Sequence, residues 1–119
     1  MTHFRIDIQL PLLYNLKKGE IERKKVPEKH FLDTYNELLK IAGGVNTTNF
    51  PIMGSWICPK TKELHNDKSI VFSILVKSQD RITALKVPKI IKLQKYKEIL
   101  IERFDQKAIY MVATRCTWL

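Results

Sequence analysis

Two cysteines, four glycines and five prolines are all that 119 residues hold of the residue types that staple, loosen or break a chain. Cys58 and Cys116 lie far apart and outside any C-x-x-C or Cys/His ligand spacing, which argues against a disulfide framework or a zinc knuckle. Both are expected to be free, buried thiols. So little glycine and proline excludes a fibrous repeat or a disordered linker chain. No apolar run approaches the roughly 18 residues that span a bilayer. The opening "MTHFRIDIQL" interrupts its apolar residues with charged and polar ones where a signal peptide needs an unbroken stretch, so a cytoplasmic location without a membrane partner is expected. Acidic residues are also scarce: 12 against 21 lysines and arginines, which leaves a net charge of +9. A surface of that sign attracts phosphate-rich polymers, and nucleic acid is the leading candidate partner.

What remains is ordinary globular usage: 45% apolar and 28% charged residues, without repeats or low-complexity tracts, in a length that supports one core. A single domain over residues 1–119 is expected, with a basic connection at about 15–27.

Phe4, Ile6, Ile8 and Leu10 alternate with Arg5, Asp7 and Gln9, which predicts a first strand with one apolar face. Pro27 and Glu28 suit the first turn of a helix, and Phe31, Tyr35, Leu38, Leu39 and Ala42 recur at helical spacing. Gly43 and Gly44 can end that helix in the left-handed region. "VNTTNFPIMGSWIC" is β-branched and aromatic but interrupted by Pro51 and Gly54, which predicts a bent or bulged strand through Trp56 to Cys58. "PKTKELHND" turns the chain, and "SIVFSILV" from Ser69 to Val76 reads as a strand buried on both sides. Residues 80–106 carry a second helical pattern, with Leu93, Tyr96, Leu100 and Phe104 on one stripe and a break or fresh start at Pro88. "AIYMVATRCTWL" reads as the last strand.

The order strand, helix, strand, strand, helix, strand predicts an α+β, ferredoxin-like βαββαβ sandwich, a four-stranded antiparallel sheet with two helices on one face. Its free face should be polar in a lone molecule. Val71 and Leu75 on the third strand, and Tyr110 and Val112 on the fourth, contradict that requirement. They predict an interaction surface, read as the interface of a homodimer or, alternatively, as the contact of an accessory subunit with another protein. Because an RNA-reading sheet needs exposed aromatics on adjacent strands beside basic residues, and the middle strand here offers aliphatics, nucleic acid is expected to bind elsewhere. Two lysine-rich sets qualify: Lys86, Lys89, Lys92 and Lys95 along the second helix, and Lys17, Lys18, Arg23, Lys24 and Lys25 in the basic connection.

"GSWICPKTKELHNDKS", residues 54–69, resembles a site in composition. Trp56 reads most simply as a core or interface anchor, and Asn66 and Asp67 as turn residues beside an exposed His65. Catalysis would need His65 with Asp67 or Asp7, or His30 with Asp33, within reach of a substrate. The alternative to a binding module is therefore a small enzyme of the dimeric α/β-barrel type, with a cleft lined by Trp56, Tyr35, His30 or His65. No metal-ligand cluster, nucleophile elbow or phosphate loop occurs, and no cofactor is expected.

"AGGVNTT", "GSW", "NDKS" and "FDQKAIY" together resemble the layout of small uncharacterised prokaryotic ferredoxin-like α+β proteins over about residues 4–114. Those proteins place a Gly-Gly near a Thr after the first helix, a Gly-x-Trp hairpin with a following acidic residue, and a Phe-x-Gln before the last strand. The inserted Asn46 and the basic loop depart from that layout. The resemblance implies an α+β fold and carries no activity with it.

Overall fold

The computed structural model describes residues 2–48, 50–78 and 84–119. In chain order they form β1 (Thr2–Pro11), α1 (Glu28–Ala42), β2 (Asn46–Thr47), β3 (Ile52–Ile57), β4 (Leu64–Ser78), a 3₁₀ turn (Ala84–Lys86), α2 (Pro88–Arg103) and β5 (Tyr110–Cys116). The sheet runs β2-β4-β1-β5, with β3 also on β4, and every pairing is antiparallel. The fold is α+β and ferredoxin-like with two helices, but among the described residues the sheet has five strands instead of the expected four, because the predicted second strand is two segments.

The cause lies between Thr47 and Ile52. Thr47 pairs with Phe72 and Ile52 with Ser69, so five steps along the edge oppose only three along β4. Two residues therefore bulge out. Pro51, which lacks a backbone donor, falls inside this stretch. Thr48 keeps the bulge attached, its N–H donating to the Val71 carbonyl at 3.2 Å while its hydroxyl accepts from the Val71 N–H at 3.3 Å.

Alternation in β1 has the predicted consequence. Phe4, Ile6, Ile8 and Leu10 are buried and meet Phe72, Ile74 and Val76 of β4 in the core. Leu38 of α1 and Ile90, Leu93, Tyr96 and Leu100 of α2 close that core from one side. Pro27 precedes the first turn of α1, and Gly43 ends the helix at φ 79° with its N–H on the Leu39 carbonyl. Within α1 the buried stripe differs from expectation: Leu39 is exposed and Thr34 is buried. Pro88 opens α2 afresh. The part of the second helical pattern at 80–83 lies outside the described residues.

β4 is longer than read from sequence. It begins at Leu64, so His65, Asn66 and Asp67 belong to a strand rather than a turn, and the turn contracts to residues 58–63, with Lys62 at φ 63°. Pairing with β3 overrides local turn propensity here, since Trp56 opposes His65 and Ser55 opposes Asn66. The Ser55 hydroxyl donates to Asn66 Oδ1 at 2.6 Å.

Among the described residues no helix is long and apolar enough to cross a membrane. The two cysteines are free and half-buried, less covered than expected.

Candidate functional site

With both helices on one face of the sheet, alternation places His3, Arg5, Asp7 and Gln9 of β1 on the other. Their register partners share that face: Val71, Ser73, Leu75 and Lys77 on β4, and Tyr110, Val112, Thr114 and Cys116 on β5. Val71, Leu75, Tyr110 and Val112 thus lie together on the uncovered face, as expected from the strand patterns. The strand between them changes its character, because β1 lays a polar stripe down the middle. The Ser73 hydroxyl donates to Asp7 Oδ1 at 2.5 Å, Arg5 Nε donates to Asp7 Oδ2 at 3.2 Å, and Gln9 Nε2 donates to Ser69 Oγ at 2.7 Å. These bonds hold the polar side chains flat on the sheet between two apolar margins.

Aromatic rings stand at both ends of this face. At one end, Trp56 stacks on His65 with ring centres 4.4 Å apart and planes 16° from parallel. Cross-strand opposition produces that stack. Trp56 is 51% exposed, so it is neither a core residue nor shielded by the molecule itself. Tyr110, 62% exposed, stands across a cleft of about 340 Å³ that Trp56, Gln9, Arg23, Asp67 and Ser69 also line. At the other end Trp118, 67% exposed, stacks on His3 at 5.7 Å, and Lys77 Nζ lies 5.6 Å from its ring centre. The face therefore presents three exposed aromatic rings, with Lys77 beside that of Trp118 and Arg5 on the same face. The middle strand was expected to offer aliphatics rather than aromatics on this face; the central strands β1 and β4 carry none of the three rings, which stand on β3, on β5 and at Trp118 beyond it. His3, Lys77 and Trp118 come together only through the pairing of β1 with β4 and β5, which no local pattern reveals. The Trp56–His65 stack was foreseeable once the two residues were taken as arms of one hairpin.

Arg23 closes the cleft and is fully engaged. It donates to Asp67 Oδ1 at 2.7 Å and to the carbonyls of Tyr14 at 2.8 Å and Leu13 at 3.3 Å. This pins the basic connection, whose arms pair through Leu13 and Lys25 and turn at Gly19 (φ 86°). In the same connection Lys17 reaches Asp105 at 3.2 Å and Lys24 reaches Glu20 at 3.7 Å, while Lys18 and Lys25 are exposed. Lys86 sits on the 3₁₀ turn, and Lys89, Lys92 and Lys95 line the solvent side of α2, each one residue before a buried position.

The catalytic candidates do not converge. His30 packs edge-on against Phe104 at 6.1 Å, and Asp33 faces Lys29 at 3.9 Å. His65 is under Trp56, Asp67 is held by Arg23, and Asp7 is held by Ser73 and Arg5, so none of the three pairs is joined as a base and its orienting carboxylate. Tyr35 leans on Phe72 at 6.3 Å on the helix side. Of the four residues expected around an enzymatic cleft, Trp56 and His65 share a face, and His30 and Tyr35 belong to the other side of the sheet. No group of three or more His, Cys, Asp or Glu residues among the described residues could hold a metal ion.

A second polar cluster escaped the sequence reading. Arg103 of α2 forks onto Glu37 of α1, with Nη2 donating to Oε1 at 2.8 Å and Nη1 to Oε2 at 2.9 Å, and Nη1 also donates to Thr34 Oγ1 at 2.8 Å. The Tyr96 hydroxyl donates to Glu37 Oε2 at 2.5 Å. The Arg103 hydrogen bond holds the Glu37 carboxyl below its ordinary range despite partial desolvation. Burial, and then the bond to Glu37, push the Tyr96 phenol well up, so it stays protonated as a donor. This cluster ties the two helices together, on the opposite side of the molecule from the aromatic face.

An α+β sandwich with a bare, aromatic-bearing sheet face is the class that fold and site define. No protein-family model matches the chain, and no curated protein matches it. Among solved structures it is similar in fold to the chain in the B. subtilis GlnK–ATP complex, with a TM-score of 0.54 and 11% identity over 97% of this chain and 82% of that one.

Proposed function

We propose that this protein is a non-catalytic binding module for an anionic, ring-bearing partner, with single-stranded nucleic acid as the partner and the uncovered sheet face as the platform. One observation carries the reading: Trp56, Tyr110 and Trp118 are all exposed on that face, with Arg5 and Lys77 among them. Bases stack on such rings irrespective of sequence, each stack contributing about 1–3 kcal/mol, while cations beside them follow the phosphates. The net charge of +9 supplies the long-range attraction. In this reading Lys18, Lys25, Lys86, Lys89, Lys92 and Lys95 add to that field without reading bases.

The polar stripe of β1 weighs against the alternative occupant, a second copy packed face to face through Val71, Leu75, Tyr110 and Val112. Such a contact would take the Arg5–Asp7 pair out of water, and that desolvation offsets the gain from the flanking aliphatics. A docked protein subunit meets the same penalty. The chemistry of an enzyme finds less support still, since among the described residues Asp67, the carboxylate beside His65 in this cleft, is held by Arg23.

GlnK was solved with ATP, a single-base anion. The length dependence of binding separates that class of ligand from a strand. In fluorescence anisotropy with labelled oligonucleotides, affinity should rise from a mononucleotide to about 10 nucleotides and fall steeply with salt. Tyr110→Ala and Trp118→Ala should each weaken binding about 5- to 100-fold. Saturation at the mononucleotide would replace the strand with a nucleotide ligand, and unchanged affinity in both variants would remove the platform.

A further inference from the structure

The sheet ends in two edges of opposite character. On one side β2 and β3 are short and separated by a two-residue bulge, with Pro51 and Gly54 nearby, and such features blunt an edge against pairing. On the other side β5 is an unbroken seven-residue strand, and among the described residues its backbone ladder runs to β1 alone. It contains no proline. Its one charge, Arg115, does not guard the edge, because the guanidinium folds back over the Phe4 ring at 5.7 Å. A strand of this kind is a template for a further strand.

We infer that β5 pairs antiparallel with β5 of a second copy about a two-fold axis at Ala113, joining two five-stranded sheets into one. The strand is complementary to itself in that register. Ala113 opposes Ala113, Val112 opposes Thr114, Met111 opposes Arg115 and Tyr110 opposes Cys116, so small residues meet at the axis, β-branched residues flank it, and no like charges stand opposite. Each pair also keeps its face: Tyr110, Val112, Thr114 and Cys116 line the uncovered side, and Met111, Ala113 and Arg115 the helix side. A two-fold perpendicular to the sheet leaves both uncovered faces on one side of the joint sheet. The contact is smaller than a standard interface, so its dissociation constant should be on the order of 10 µM. It does not depend on what the uncovered face binds.

A charge swap tests it. Ala113 is exposed, so Ala113→Glu and Ala113→Lys should leave the fold intact, which circular dichroism checks. Sedimentation equilibrium at about 100 µM should show the wild type at close to twice the chain mass, since that concentration is well above the expected constant. Each variant should self-associate at least about 10-fold more weakly, because like charges then face each other at the axis, and an equimolar mixture of the two should recover the dimer. Raising salt should strengthen the wild-type dimer, as it screens repulsion between two copies of charge +9. A monomeric wild type, variants that dimerise like the wild type, or a mixture that stays monomeric would each overturn the inference.

Discussion

Replacing Arg103 with methionine keeps an unbranched apolar stem and removes the fork that joins α2 to α1. Arg103 is 16% exposed and makes three hydrogen bonds of 2.8–2.9 Å, two to Glu37 and one to the buried Thr34. Losing charged partners of that kind costs about 1–3 kcal/mol. Glu37 is 40% exposed, so water takes over part of the role, and the cost should fall in the lower half of that range. Tyr96 continues to donate to Glu37, which further limits the loss. Urea denaturation followed by circular dichroism should show a lower midpoint with an unchanged slope. The sign of the pH effect is fixed by Glu37. Its folded pKa lies below the unfolded value, so its pairing stabilises the fold fully above the ordinary carboxyl value of 4.5 and is lost as pH falls through the lowered folded value. The gap between wild type and Arg103→Met should therefore close at acid pH. A double-mutant cycle with Glu37→Gln should give a coupling above the roughly 0.5 kcal/mol expected of independent sites. A smaller coupling, or a gap that persists unchanged in acid, would refute the reasoning.

Two further substitutions probe the scaffold. Gly43→Val should destabilise by about 1–2 kcal/mol through the left-handed backbone alone, since an added Cβ there meets nothing within 4 Å. Gly44→Val, equally open but without positive φ, should cost less in the same urea titration, and equal losses would remove the backbone explanation. Leu100→Ala, at a fully buried position of α2, should cost about 2–5 kcal/mol, and a value under 1 would mean that the helix layer packs differently.

Where local periodicity and tertiary packing agree, the sequence was legible. The alternation of Phe4 to Leu10 and the stripe from Leu93 to Phe104 became core as read, and Gly43 caps α1 as its residue type demands. Legibility failed where a partner outside the local window decides. Thr34 looks like a surface residue until Arg103 reaches it from 69 positions away. "LHND" carries turn propensity, yet β3 lies alongside and holds it extended. The uncovered face was found through Val71, Leu75, Tyr110 and Val112, but its polar centre depends on which strand sits between β4 and β5. That strand is β1, and the three-strand register behind it is a long-range property. Trp118 was overlooked for the same reason: its meaning comes from His3, at the far end of the chain. The lysines were visible from composition alone, whereas Lys77 beside the Trp118 ring, and Arg5 on the same face, needed the fold.

The proposed platform for a nucleic-acid strand is the uncovered face rather than the lysine edge of α2. Titrating ¹⁵N-labelled protein with an oligothymidine of about 10 nucleotides and following backbone and indole resonances tests this directly. Resonances should shift along β1 and β5 and at the Trp56 and Trp118 indoles, with α2 quiet. Shifts confined to Lys86–Lys95, with both indoles unmoved, would contradict that placement.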